Sequence, residues 1–106
     1  MEVFKNYRDH VPIRPGKVGK ETLFESSRLL LGLNALEPRV EQSVHTHAEQ
    51  DKFYHVLEGE GEFTVGAEVR SAGPGEVVWA PAGVEHGVRN GGERRLVLLV
   101  GMVPPP

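Results

Sequence analysis

With 106 residues, 39% of them hydrophobic and 25% charged, the chain carries enough apolar material for one globular core but not for two. A net charge of −3 without any Lys/Arg-rich run gives no support to a nucleic-acid or anionic-membrane partner. No cysteine is present, so disulfides and thiolate zinc sites are excluded, and any metal must be held by histidine and oxygen ligands.

Residues 1–20 are mixed in character and interrupted by Pro12, Pro15, Gly16 and Gly19. They read as an extended N-terminal arm with one helical turn over Val3 to Asp9, and without the long apolar core of a signal peptide. A single domain over 21–106 follows. Glu21 to Glu37 reads as two strands broken near Ser26-Ser27. A helix over Leu29 to Leu36 competes, but Gly32 and Asn34 weaken it. Beyond Pro38, strand signals come at close spacing: Val40 to His47, Phe53 to Leu57, Glu62 to Val65 and Glu68 to Ser71. The last two flank Gly66-Ala67, a two-residue turn of the kind that closes a tight hairpin. Glu76 to Ala80 and Val84 to Asn90 sit on either side of the break at Pro81-Ala82-Gly83. Arg95 to Met102 is a continuous apolar run, the mark of a buried strand. Its apolar core, Leu96 to Val100, is too short to span a bilayer. Many short strands with little helix argue for an all-β sandwich or small barrel.

One stretch carries chemistry. His45 and His47 lie two residues apart, and on a strand such side chains leave from the same face with Cα atoms roughly 6.5–7 Å apart. Two imidazoles so placed make half of a metal site. A further histidine, His86, follows the turn at Pro81 and Gly83, in "GEVVWAPAGVEHGVRN".

Taken together these segments resemble the cupins, whose two motifs are G(x)5HxH(x)3-4E(x)6G and G(x)5PxG(x)2H(x)3N. The second is met at Gly75, Pro81, Gly83, His86 and Asn90, and the first at His45, His47 and Gly59. The first departs twice. Arg39 stands where the opening glycine is expected, and Lys52 stands where the family places its glutamate ligand. A protonated ammonium cannot ligate a cation. Three resolutions stay open: Gln50 or Asp51 supplies an oxygen ligand, His45, His47 and His86 hold the metal with waters, or Lys52 and its neighbours grip an anionic ligand instead. Strand parity puts Gln50 on the face of Lys52, whereas Asp51 would need a bulge.

The resemblance implies a double-stranded β-helix, or jelly-roll barrel, with the histidines converging in its mouth. It implies a divalent metal ion (Fe, Mn, Ni or Zn), and a homodimer whose N-terminal strands pair between subunits. The implied function is metal-dependent chemistry on a small oxygen-rich molecule by dioxygenation, isomerisation, decarboxylation or cyclisation, including steps of polyketide or antibiotic biosynthesis. A non-catalytic small-molecule binding or sensing module is the alternative. The metal set is His45, His47, His86 and Gln50, and Lys52, Tyr54 and Trp79 are the candidates for contacting substrate. His55 has the opposite parity from Tyr54 and reads as a packed or surface histidine. A cytoplasmic location is expected, consistent with the absence of cysteine.

Overall fold

Nine strands and one 3-10 turn make up the computed structural model, which describes residues 1–106. The strands are β1 (Gly19–Glu25), β2 (Leu30–Leu36), β3 (Glu41–His45), β4 (Asp51–Glu58), β5 (Gly61–Val65), β6 (Glu68–Ala72), β7 (Val77–Ala80), β8 (His86–Arg89) and β9 (Leu96–Val103). They pair into a five-stranded sheet, β1-β2-β9-β4-β7, and a four-stranded sheet, β3-β8-β5-β6, and every pairing is antiparallel. This is an all-β jelly-roll, a double-stranded β-helix. The competing helix over Leu29 to Leu36 is not formed; those residues lie in β2, where both neighbours supply a hydrogen-bonding edge. No helix is long and apolar enough to cross a membrane.

Alternation along β4 and β9 fixes which face each residue takes. Lys52, Tyr54 and Val56 are buried between the sheets, as are Leu96, Leu98, Val100 and Met102. With Leu36, Val40, Phe63, Ala72 and Val88 the apolar members of this set form the main core. Each fully buried Leu or Val contributes about 1.5–3 kcal/mol relative to exposure. The opposite face of the five-stranded sheet carries a second cluster, Leu23, Leu33 and Val97, on which Tyr7 and Val11 of the arm pack. The arm holds the 3-10 turn Tyr7–Asp9 and a second turn at Pro15-Gly16, closed by the Lys17 amide donating to the Arg14 carbonyl, and β1 begins at Gly19, inside the 1–20 expected for the arm.

Two motif positions show why the chain turns where it does. Gly59, between β4 and β5, has φ +80°, and a Cβ there would lie 2.3 Å from the Arg95 carbonyl oxygen. Arg39 has φ +72°, the left-handed conformation that glycine adopts without steric cost. The glycine-to-arginine departure therefore changes the residue but not the backbone turn.

Candidate metal centre

His45 ends β3 and His86 begins β8, and the two residues are directly paired across the sheet. His47 lies just beyond β3, where its carbonyl accepts a hydrogen bond from the Gly83 amide at 2.9 Å. The Asp51 carboxylate accepts one from the Ala82 amide at 2.9 Å. The Pro81–Gly83 turn of the second motif thus fixes the loop that carries the first.

The three rings meet. Their centroids are 4.8 Å apart for His45 and His47, 4.4 Å for His45 and His86, and 5.5 Å for His47 and His86. One ligating nitrogen from each lies within 4.8 Å of the others. A single ion held by all three would draw these nitrogens closer, since zinc–imidazole bonds are about 2.0–2.1 Å.

The hydrogen bonds fix the tautomers. His86 Nδ1 lies 3.0 Å from the Val84 carbonyl and His45 Nδ1 lies 2.7 Å from the Ser43 carbonyl. A carbonyl only accepts, so Nδ1 carries the proton in both rings and Nε2 keeps its lone pair. His86 Nε2 is the one buried side-chain polar atom without a hydrogen-bond partner. Such an atom costs about 1–3 kcal/mol if nothing satisfies it, and a metal ion is the partner this geometry fits. Burial lowers the pKa of His86, against the opposing hydrogen bond to the Val84 carbonyl, and that of His47, with the neighbouring imidazoles and Lys52 adding to it, so the surroundings favour the neutral, ligating form of both rings.

Beside the histidines opens a cavity of about 460 Å³. Its polar lining includes Lys20, Thr22, Asn34, Gln42 and Lys52, and its apolar wall includes Leu30, Val100 and Met102. Lys52 is only 3% exposed and its Nζ sits 4.8 Å from the centre of the Tyr54 ring. Burial, with Lys20 nearby, pushes the Lys52 amine down to about 8.

The other sequence candidates are placed differently. Gln50 does not line the cavity: β4 begins only at Asp51, so strand parity does not extend back to it. Asp51 does point to the other face, as parity requires, and is committed to Ala82. Trp79 is 55% exposed, paired with Phe53 on the outer face, and lines a separate cleft between β6 and β7. Tyr54 is fully buried beneath the site, its hydroxyl donating to Gln42 Oε1 at 3.0 Å. His55 lies across β4 from the cavity.

Gln42 was hidden from the sequence by its parity. It is three residues from His45, so a regular strand would aim the two to opposite faces. The β3–β8 register shifts between them, Gln42 pairing with Val88 and His45 with His86, and this irregularity brings both to the cavity. The signal in the sequence is Gly87, against whose α-carbon the shifted backbone packs.

The profile of the Cupin domain family matches residues 32–102. An uncharacterised protein of Streptomyces coelicolor is 39% identical over 74 residues, 70% of either chain. Among solved structures, TT1209 from Thermus thermophilus superposes with a TM-score of 0.93 at 41% identity, covering 97% of this chain and 98% of that one. A predicted oxalate decarboxylase from Thermotoga maritima, at 22% identity and TM-score 0.78, covers 83% of this chain and 81% of its own, and shares the fold.

Proposed function

This chain belongs to the cupin domain family, and we propose that it is a metal-dependent enzyme acting on a small oxygen-rich molecule in the barrel cavity. The observation that carries the reading is the focus of three imidazoles on one point, with the His86 Nε2 lone pair buried and unpartnered. His45, His47 and His86 would hold the ion. Fe, Mn, Ni or Zn there would supply Lewis-acid polarisation of a substrate oxygen or, for the redox-active metals, oxygen chemistry. The chain's own contribution is positional. The carbonyls of Ser43 and Val84 orient two rings, as outer-shell partners of metal-bound histidines do. Beside the apolar wall of Leu30, Val100 and Met102, Asn34 and Gln42 offer neutral hydrogen-bonding groups to an oxygen-rich substrate. Decarboxylation, isomerisation, dioxygenation and cyclisation all suit such a site, and the fold does not select among them.

The second reading is a non-catalytic binding module, favoured by one feature: Lys52 occupies the position that the family pattern gives to a carboxylate ligand. Metal analysis of the dialysed protein separates the two. The enzyme reading expects about one transition-metal ion per chain, lost in His86→Ala and in His45→Ala. Wild-type protein that takes up no Fe, Mn, Ni or Zn on reconstitution would sink it in favour of the binding module.

A further inference from the structure

The charges around the cavity do not balance. Imidazole ligands carry no negative charge, so the three histidines add nothing to offset the positive charge of a divalent ion. Lys52 adds an ammonium on a side chain that is 3% exposed; it forms no ion pair or hydrogen bond, and its Nζ lies 4.8 Å from the centre of the Tyr54 ring. Lys20 adds a second cation at the rim. The single acidic side chain among the lining residues, Glu21, is engaged with His10 of the arm at 2.8 Å. Thr22, Asn34 and Gln42 are neutral, and neither Lys52 nor Lys20 forms an ion pair with any acidic group. A buried ammonium without a counter-charge is costly, and such groups are ordinarily paired. In this fold the missing partner has an open place to sit, because Lys52 faces the cavity and not the packed core below it.

We propose that the ligand of this cavity is a small carboxylate anion, of the dicarboxylate or 2-oxo-acid class, with one carboxylate oxygen on the Lys52 ammonium and another oxygen directed to the three-histidine centre. The inference rests on the metal-dependent reading for its second contact only. Lys52 holds the substrate's charge; Lys20, at the entrance, attracts it; and the histidines meet its far end. The glutamate of the family pattern would contribute its charge to the metal, whereas lysine at this place leaves that charge to be brought by the ligand. Neutral sugars and alcohols lack it and are excluded from tight binding.

The test is calorimetric titration of the zinc-reconstituted and the metal-free protein with malonate, oxalate and 2-oxoglutarate, and with malonamide as the neutral counterpart of malonate. Wild-type protein is expected to bind at least one of the acids and not malonamide. Lys52→Met and Lys52→Gln are expected to weaken that binding by about 30-fold or more, the usual consequence of removing one member of a buried charge pair, while keeping the metal content of wild type. Two variants guard against a folding defect in either. Equal binding of the acids by wild type and both variants overturns the inference and leaves the metal reading standing. So does failure of wild-type protein to bind any of the three acids at millimolar concentration. Lys52-dependent acid binding by a protein that takes up no metal upholds the anion site and sinks the metal reading instead.

Discussion

A lysine side chain buried within a barrel makes stability depend on pH in a definite direction. Folding pushes the Lys52 amine down to about 8, from an ordinary value of 10.5. Between those values the unfolded chain keeps a proton that the folded chain has released, so stability rises with pH across that window. At neutral pH the buried ammonium costs on the order of 3 kcal/mol. The buried Tyr54 hydroxyl acts in the opposite sense. Burial raises it above its ordinary value of 10.0, so at higher pH the unfolded chain loses the phenolic proton first and stability falls again. Urea denaturation of the metal-free protein is expected to show a midpoint that climbs from pH 7 to about pH 9.5 and then declines. Lys52→Met should be more stable than wild type at pH 7 and show no climb; a parallel climb in the variant would place its origin elsewhere. Arg39 teaches a different lesson at this scale. A left-handed φ persists there although the residue is not glycine, because the turn is held by its own bonds, Arg39 N–H to the Asn90 carbonyl and Asn90 N–H to the Val40 carbonyl.

At the level of elements, the site depends on the irregular pairing of β3 with β8. The extra residue between Gln42 and His45 bends β3 so that both side chains enter the cavity. Gly87 makes room for it: a Cβ at that position would lie 2.9 Å from the Gln42 carbonyl oxygen and 3.0 Å from the Val44 nitrogen, both backbone atoms that cannot swing aside. Gly87→Ala should therefore move His45 relative to His86. Metal affinity is expected to fall about 10- to 100-fold, the range seen when the support of a metal ligand is disturbed. Competition with a chromophoric chelator measures it, with exposed Val69→Ala as the control, and undiminished affinity would mean that the bulge is not what aims His45. Asn90, the last residue of the second motif, serves the elements rather than the site. Fully buried, it donates to the carbonyls of Leu36 and Arg94, each at 2.8 Å, and accepts from the Gly92 amide at 3.0 Å. It ties the end of β2 to the β8–β9 turn.

Over the whole molecule, the arm closes the outer face of the five-stranded sheet. Tyr7 donates to Glu58 Oε2 at 2.9 Å, Arg95 donates to Glu58 Oε1 at 3.1 Å, and Lys5 donates to the Leu23 carbonyl at 2.8 Å. Beneath them Tyr7 and Val11 cover Leu23, Leu33 and Val97. Deleting residues 1–11 should cost about 2–4 kcal/mol, the burial of two half-covered apolar side chains and their share of the cluster. No residue of the deleted segment belongs to the histidine set or lines its cavity, the segment being hydrogen-bonded to that lining only where His10 pairs with Glu21, so metal content should be unchanged. Val3 and Phe4, 59% and 88% exposed at the arm's tip, are apolar surface that the proposed homodimer would cover. Sedimentation equilibrium of the intact and truncated chains is expected to give a dimer and a monomer, and an intact chain that sediments as a monomer would end that proposal.

How much was legible beforehand follows from where each signal resides. Turn residues, apolar alternation and the spacing of His45, His47 and His86 are local or motif-borne. The strands, the jelly-roll and the histidine set could therefore be read from the chain. Parity along β4 also separated Lys52 and Tyr54 from Asp51 and His55 correctly, since a side-chain period of two admits no compromise. Gln50 lies just before β4 begins, where strand parity no longer applies, and Trp79 lies on the exposed face of β7, which aromatic character alone does not specify. The register shift that admits Gln42, the engagement of Glu21 by the arm, and the isolation of Lys52 from every carboxylate are relations between strands distant in sequence. Only the packing of two sheets could decide them, because charge balance in a cavity belongs to the surfaces that enclose it and not to any one segment of the chain.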